Sequence, residues 1–138
     1  GLDSKRAPAY RRRVPVTRDR ATDVLAAVLG GVGSLHFVAG EFLEATLPRW
    51  VPAKRAVVYA SGALEVVCAL GLARRKRWAG PLSAAVLLAI WPANIQMALD
   101  AGTGRHAGIF DSPLLMWGRV PLQLPMIWVA WRSPRASP

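Results

Sequence analysis

From Trp78 to Leu99 the chain runs for 22 residues without a charged side chain, close to the ~20 residues an α-helix needs to cross a ~30 Å hydrocarbon core. A soluble core helix of that length shows a polar face recurring every three or four residues, and this segment has none. Three further stretches are comparable: about Val24 to Phe42, uncharged until Glu41; about Ala56 to Ala73, interrupted only by Glu65; and Pro113 to Trp131, which contains Arg119, Gln123, Pro121 and Pro125. The pattern predicts an all-α protein, a four-helix transmembrane bundle with spans at about 24–42, 56–73, 78–99 and 113–131. One membrane domain then covers residues 21–132, between a basic arm at 1–20 and a short tail at 133–138.

The 18 Lys and Arg against 8 Asp and Glu would ordinarily suggest a nucleic-acid binder or a disordered tail, but both are poor in apolar residues. Here 53% of the chain is hydrophobic and the mean hydropathy is +0.26, so no nucleic-acid partner is expected. The charge instead reports orientation, because cytoplasmic flanks retain Lys and Arg. Thirteen basic residues fall on one predicted side: seven on the arm, Arg74, Arg75, Lys76 and Arg77 in the second connection, and Arg132 and Arg135 at the end. Both termini are therefore expected in the cytoplasm. The indoles agree, with Trp50 and Trp117 near the outer boundary, Trp78, Trp128 and Trp131 near the inner one, and only Trp91 inside a span. A basic stretch before an apolar run is also the signature of a signal peptide, yet the first span is expected to stay as an anchor. The arm, with Pro8 and Pro15, has too few apolar residues to fold alone and is expected to be flexible.

The stretch from Phe42 to Pro52, bracketed by Pro48 and Pro52, reads as an interfacial turn or short helix on the outer face. Asp100 to Ser112, with Gly102, Gly104, Gly108 and His106, reads as a flexible tether.

Ionisable groups inside a bilayer cost roughly 2.5–3.5 kcal/mol at the centre and normally face other helices. His36 and Glu65 are expected roughly 10 and 15 Å below the outer surface at ~1.5 Å per residue. Asn94 and Gln96 lie in the outer third of the third span, and Arg119 and Gln123 early in the fourth. Gly33, His36 and Gly40 share one face of the first helix, and Ser61, Glu65 and Cys68 or Ala69 one face of the second. Pro92 frees the carbonyl of Leu88, and Pro121 and Pro125 do the same in the fourth helix. These features predict an outward-opening polar pocket bordered by His36, Glu65, Asn94 and Arg119, with Gln123 beside it, serving a small polar ligand, a quinone or a proton. The competing reading is a buried Glu65–Arg119 ion pair that fixes helix register, the other three side chains satisfying its hydrogen bonds.

Cys68, the single cysteine, reads as an inert buried thiol, and excludes an internal disulfide or CxxC motif. His36 and Glu65 are too few for a metal. The Gly30-Gly31-Val32-Gly33 run lies in an apolar span, where helix packing explains it better than phosphate binding, and no hydrolase, zincin or P-loop pattern occurs.

The order His36-Phe37, Glu41-Phe42, Pro48, Pro52, Val58-Tyr59-Ala60-Ser61-Gly62-Ala63-Leu64-Glu65, Gly71-Leu72, the basic turn, Ala79-Gly80 and Trp91-Pro92-Ala93-Asn94-Ile95-Gln96-Met97 resembles the DoxX-like family of small bacterial membrane proteins. Arg119-Val120-Pro121-Leu122-Gln123 and the Trp128 to Trp131 end extend the resemblance, which covers about Ala21 to Trp131. Gly40 departs from it, standing where the family's HFxxP pattern has proline. The resemblance implies a multi-pass protein of the bacterial plasma (inner) membrane, associated with quinone and thiol redox systems, and places His36, Glu65, Asn94 and Arg119 at recurring polar positions. It implies no reaction. The expected partners are the lipid bilayer and either a larger membrane complex or further copies of the chain. The roles that follow are a redox-associated accessory subunit, a noncatalytic anchor or assembly subunit, and, third, a small transporter.

The orientation is testable with reporters fused to the C-terminus: a cytoplasm-active reporter is expected to function there and an export-dependent one to fail, and the reverse pattern would overturn the four-span topology.

Overall fold

The computed structural model describes residues 19–106 and 108–134. Residues 1–18 of the arm expected to be flexible and 135–138 of the expected cytoplasmic tail lie outside them, while Asp19 and Arg20 belong to the start of α1. The described chain is helical throughout: α1 (Arg20–Val38), α2 (Gly40–Thr46), α3 (Lys54–Ala73), α4 (Ala79–Asp100), a 3₁₀ turn (Gly108–Asp111) and α5 (Pro113–Trp131). The long helices match the expected spans to within a few residues. α1, α3 and α4 are long and apolar enough to cross a membrane. α5 has the length, 19 residues, but not the hydropathy, because Arg119, Gln123 and three prolines dilute its apolar side chains.

α1 starts where Asp19 caps it, its carboxylate accepting from the Ala21 N–H at 3.3 Å and the Thr22 hydroxyl at 2.8 Å. The Thr22 hydrogen bond holds the Asp19 carboxyl below its ordinary value; the Arg132 charge, 3.7 Å away, adds to this while burial opposes it. α1 ends at Ala39 rather than near Phe42. Gly40 makes the turn into α2 possible without the proline of the resembling family: a Cβ there would lie 3.2 Å from Cε1 of Tyr59, so the backbone tucks under that ring. The short outer helix expected between Phe42 and Pro52 is α2, lying slightly earlier in the chain.

α3 ends in a Schellman motif, with Lys76 N–H bonding to Gly71 O at 2.9 Å and Arg75 N–H to Leu72 O at 3.0 Å. The left-handed position, usually glycine, is Arg75 at φ +55°. Its guanidinium offsets the strain by folding back, donating to Leu72 O at 3.0 Å and to Asp23 on α1 at 2.8 Å. Arg75 is thus not only one of the flank charges: it is buried and clamps α1 to α3.

α1 packs mainly on α3 and α4 on α5, with α3 joining α4 across the middle. The larger core, of Leu25, Leu29, Cys68, Leu72, Ala84 and Leu87 among others, sits toward the end that carries the α3–α4 turn. A smaller one of Met97, Ala98 and Met116 lies toward the α2 end. The outward side of α1 is an unbroken apolar stripe, Val24, Val28, Val32, Leu35 and Val38, all exposed, as a lipid-facing helix requires.

The segment after α4 is not a loose tether. Asp111 folds it: its carboxylate accepts from the N–H groups of Gly102 and Gly104, each at 3.1 Å, and its carbonyl accepts from Gly102 at 2.8 Å. Gly102, Gly104 and Gly108 all take positive φ, which explains the glycine content as turn chemistry. Asp100 adds ion pairs to Arg105 at 3.1 Å and His106 at 3.8 Å.

α1 and α3 touch backbone to backbone at Gly33 and Gly62. A Cβ on Gly33 would stand 2.8 Å from Gly62 O, and one on Gly62 would stand 2.5 Å from Cβ of His36 and 2.8 Å from Gly33 O. Such contacts are how helices associate in lipid, where no hydrophobic force separates side chain from solvent. Gly62→Val is expected to lower stability by about 1–3 kcal/mol through overpacking, read as a lowered thermal midpoint in detergent. Gly31→Ala, which meets nothing within 4 Å, is expected to leave the midpoint unchanged or raise it; equal losses in both variants would contradict the packing.

Candidate functional site

The glycine contact sets the first polar pair. One turn beyond Gly33 stands His36, and three residues beyond Gly62 stands Glu65, so the helices' approach brings the two side chains together inside the α1–α3 seam. Glu65 Oε2 lies 3.6 Å from His36 Nδ1, with the side chains 3% and 15% exposed. His36 Nδ1 is 2.7 Å from Val32 O. A carbonyl only accepts, so Nδ1 carries the hydrogen and Nε2 is the acceptor of the neutral ring. Glu65 Oε2 is buried and has no hydrogen-bond partner. The imidazole N–H thus points at a backbone carbonyl with an orphan carboxylate oxygen just beyond hydrogen-bond range, and a small ring rotation would pass it from one to the other.

The other three candidates form a separate cluster between α4 and α5. Asn94 donates to Gln123 Oε1 at 2.9 Å, Gln123 donates to Leu87 O at 3.1 Å, and Arg119 donates to Asn94 Oδ1 at 3.4 Å. The carbonyl that takes the Gln123 bond, Leu87 O, lies one residue before the Leu88 carbonyl that Pro92 leaves without its helical donor. The Trp91 indole N–H adds a bond to Val120 O at 3.0 Å. Arg119 also approaches Met116 Sδ at 3.7 Å and lies 6.0 Å from the Phe110 ring centre. Gln96 turns away to Asp100 at 3.2 Å.

Two expectations change. Among the described residues no ion pair joins Glu65 to Arg119; the ionisable side chain beside Glu65 is His36. The four pocket residues divide into two interhelical clusters, and a hollow of about 440 Å³ at the α2 end is lined by Phe37 to Phe42 and Tyr59. Phe37 stacks on Tyr59 there, ring centres 5.7 Å apart. Among the described residues no group of three or more His, Cys, Asp or Glu could hold a metal.

Sequence reasoning passed over Ser83, which is fully buried on α4 with an orphan hydroxyl. Its signal was available: it is a hydroxyl within the one segment that lacks charge. It also passed over the Asp23–Arg75 clamp and the part of Phe110 in shielding Arg119. Asp23 in the first turn of α1 was readable, but the left-handed placement that turns Arg75 toward it was not.

No curated protein and no solved structure matches the chain. A family profile described as Domain of unknown function (DUF8561) matches residues 25–134, from the core of α1 through the end of α5, so the chain belongs to that family.

Proposed function

We propose that the protein is a multi-pass plasma-membrane protein in which α1, α3, α4 and α5 all cross the bilayer, both termini lying in the cytoplasm, and that it serves as a redox-associated accessory subunit. The single observation that supports the chemistry is the orphan Glu65 Oε2 beside the His36 N–H inside an apolar seam. Burying an unsatisfied carboxylate oxygen is costly, and a group that exchanges a proton with His36 is the use that fits its position. His36, the more exposed of the two, takes the proton from outside; Glu65 holds it within the protein. A quinone headgroup, which gains or loses protons with its electrons, is the ligand class proposed to meet His36. The α5 crossing is supported by the inward turn of Gln123 and by the exposed apolar face of Leu114, Leu122, Leu124 and Trp128. The DoxX-like resemblance and the basic flanks support the bacterial plasma membrane and the orientation.

A second reading has its own observation. Asn94, Gln123 and the Leu87 carbonyl satisfy one another across α4 and α5, as expected of a noncatalytic anchor or assembly subunit whose polar groups fix helix register.

The test is mass spectrometry of small molecules extracted from detergent-purified wild type, His36→Ala and Glu65→Gln, alongside quinone-dependent respiration of membranes carrying each. Bound quinone in the wild type, lost in both variants while helicity is retained, is expected, together with at least a ~10-fold fall in the dependent activity, the scale of a lost general acid–base group. Wild type without quinone and activity unchanged in both variants would establish the anchor reading instead.

A further inference from the structure

Arg119 is a guanidinium in the first half of α5, and the carboxylates of the described residues lie elsewhere. Among the described residues, Asp19 pairs with Arg132, Asp23 with Arg75, Glu44 with Arg55, Asp100 with Arg105 and His106, and Glu65 with His36. Asp111 accepts from the Gly102 and Gly104 N–H groups. Glu41 lines the hollow beside Tyr59. None lies within 4 Å of Arg119.

What Arg119 does touch leaves its charge uncompensated. Its bond to Asn94 Oδ1 is long, at 3.4 Å, and its second contact is to the thioether of Met116 at 3.7 Å, a weak acceptor. The face of Phe110 at 6.0 Å supplies some cation–π attraction. Of five guanidinium N–H donors, contacts with the described residues use two. The side chain is also held in place: Asn94 is itself fixed by Gln123 at 2.9 Å, and Phe110 is steadied by an edge contact with Phe42, ring centres 5.1 Å apart. Arg119 is only partly buried. A fork of unused N–H donors, preset by neutral neighbours, is the arrangement that binds a planar or tetrahedral oxyanion in two hydrogen bonds.

We propose that Arg119, oriented by Asn94 and shielded by Phe110, is a binding site for an anionic oxygen group, a phosphate or carboxylate, at the α2 end of the α4–α5 seam. The site does not depend on the His36–Glu65 couple, which lies in the other seam. The anion's source is a lipid headgroup or a free ion in solution, and the chemistry is the same for both.

The experiment places the full chain in nanodiscs of phosphatidylcholine, with or without phosphatidylglycerol, and separately titrates inorganic phosphate into the phosphatidylcholine sample. Native mass spectrometry counts retained lipid, and the thermal midpoint reads phosphate binding. All samples carry Arg11→Gln, Arg12→Gln and Arg13→Gln, which reduces lipid attraction by the basic arm. Preferential retention of phosphatidylglycerol that falls about tenfold in Arg119→Gln, the worth of a charge-assisted pair, assigns a lipid source. A phosphate-dependent rise in midpoint, absent in Arg119→Gln, assigns a free anion. Where Arg119→Gln does not fold, Arg119→Lys keeps the charge without the fork and is expected to lose most of the preference. No preference and no phosphate response in the parent, or responses unchanged by either substitution, would overturn the site.

Discussion

In lipid the tails around a helix are as apolar as its own side chains, so helices are held by close packing and by the polar groups they share. In this chain that condition is met at two hydrogen atoms, the side chains of Gly33 and Gly62. Their absence of Cβ lets the α1 and α3 backbones meet, with His36 packed against Gly62 and Glu65 against Gly33, so the same approach encloses the pair. The polar pair is a consequence of the glycine contact: any bulk at either glycine would separate the acid from the imidazole.

The α4–α5 half solves the same problem differently. Instead of glycine it uses amide side chains and an indole, Asn94 to Gln123 to Leu87 O and Trp91 to Val120 O, to fasten two helices whose prolines loosen their own ladders. At the opposite end the basic residues join in. Arg75 to Asp23 and Arg132 to Asp19 tie the start of α1 to the ends of α3 and α5. Part of the flank charge therefore also closes the fold, with Asp19 poised by Thr22 to remain ionised.

Much of the fold was legible in the sequence because apolar length and charge placement are one-dimensional signals. The uncharged run at Trp78 to Leu99 led to the right helix, and helical spacing put His36 on the face of Gly33 and Glu65 on the face of Ser61, without saying which face meets which. The division of the polar residues between two seams was not legible, since depth along each helix says which residues share a level but not which seam they enter. Arg119 and His36 share the α2-ward half yet belong to different helix pairs. The glycine-rich connection was misread for a related reason: the ordering group, Asp111, lies nine residues from Gly102, beyond any local turn motif. Arg75 escaped because a non-glycine residue at positive φ leaves no mark in sequence.

The account stands on the α1–α3 backbone contact, and the most direct measurement of it is a solid-state NMR correlation spectrum of the glycine-labelled full chain in lipid bilayers. A cross-peak between Gly33 and Gly62 at short recoupling times, lost when either is changed to leucine, is the predicted result. A well-folded helical protein that gives no such cross-peak would contradict it.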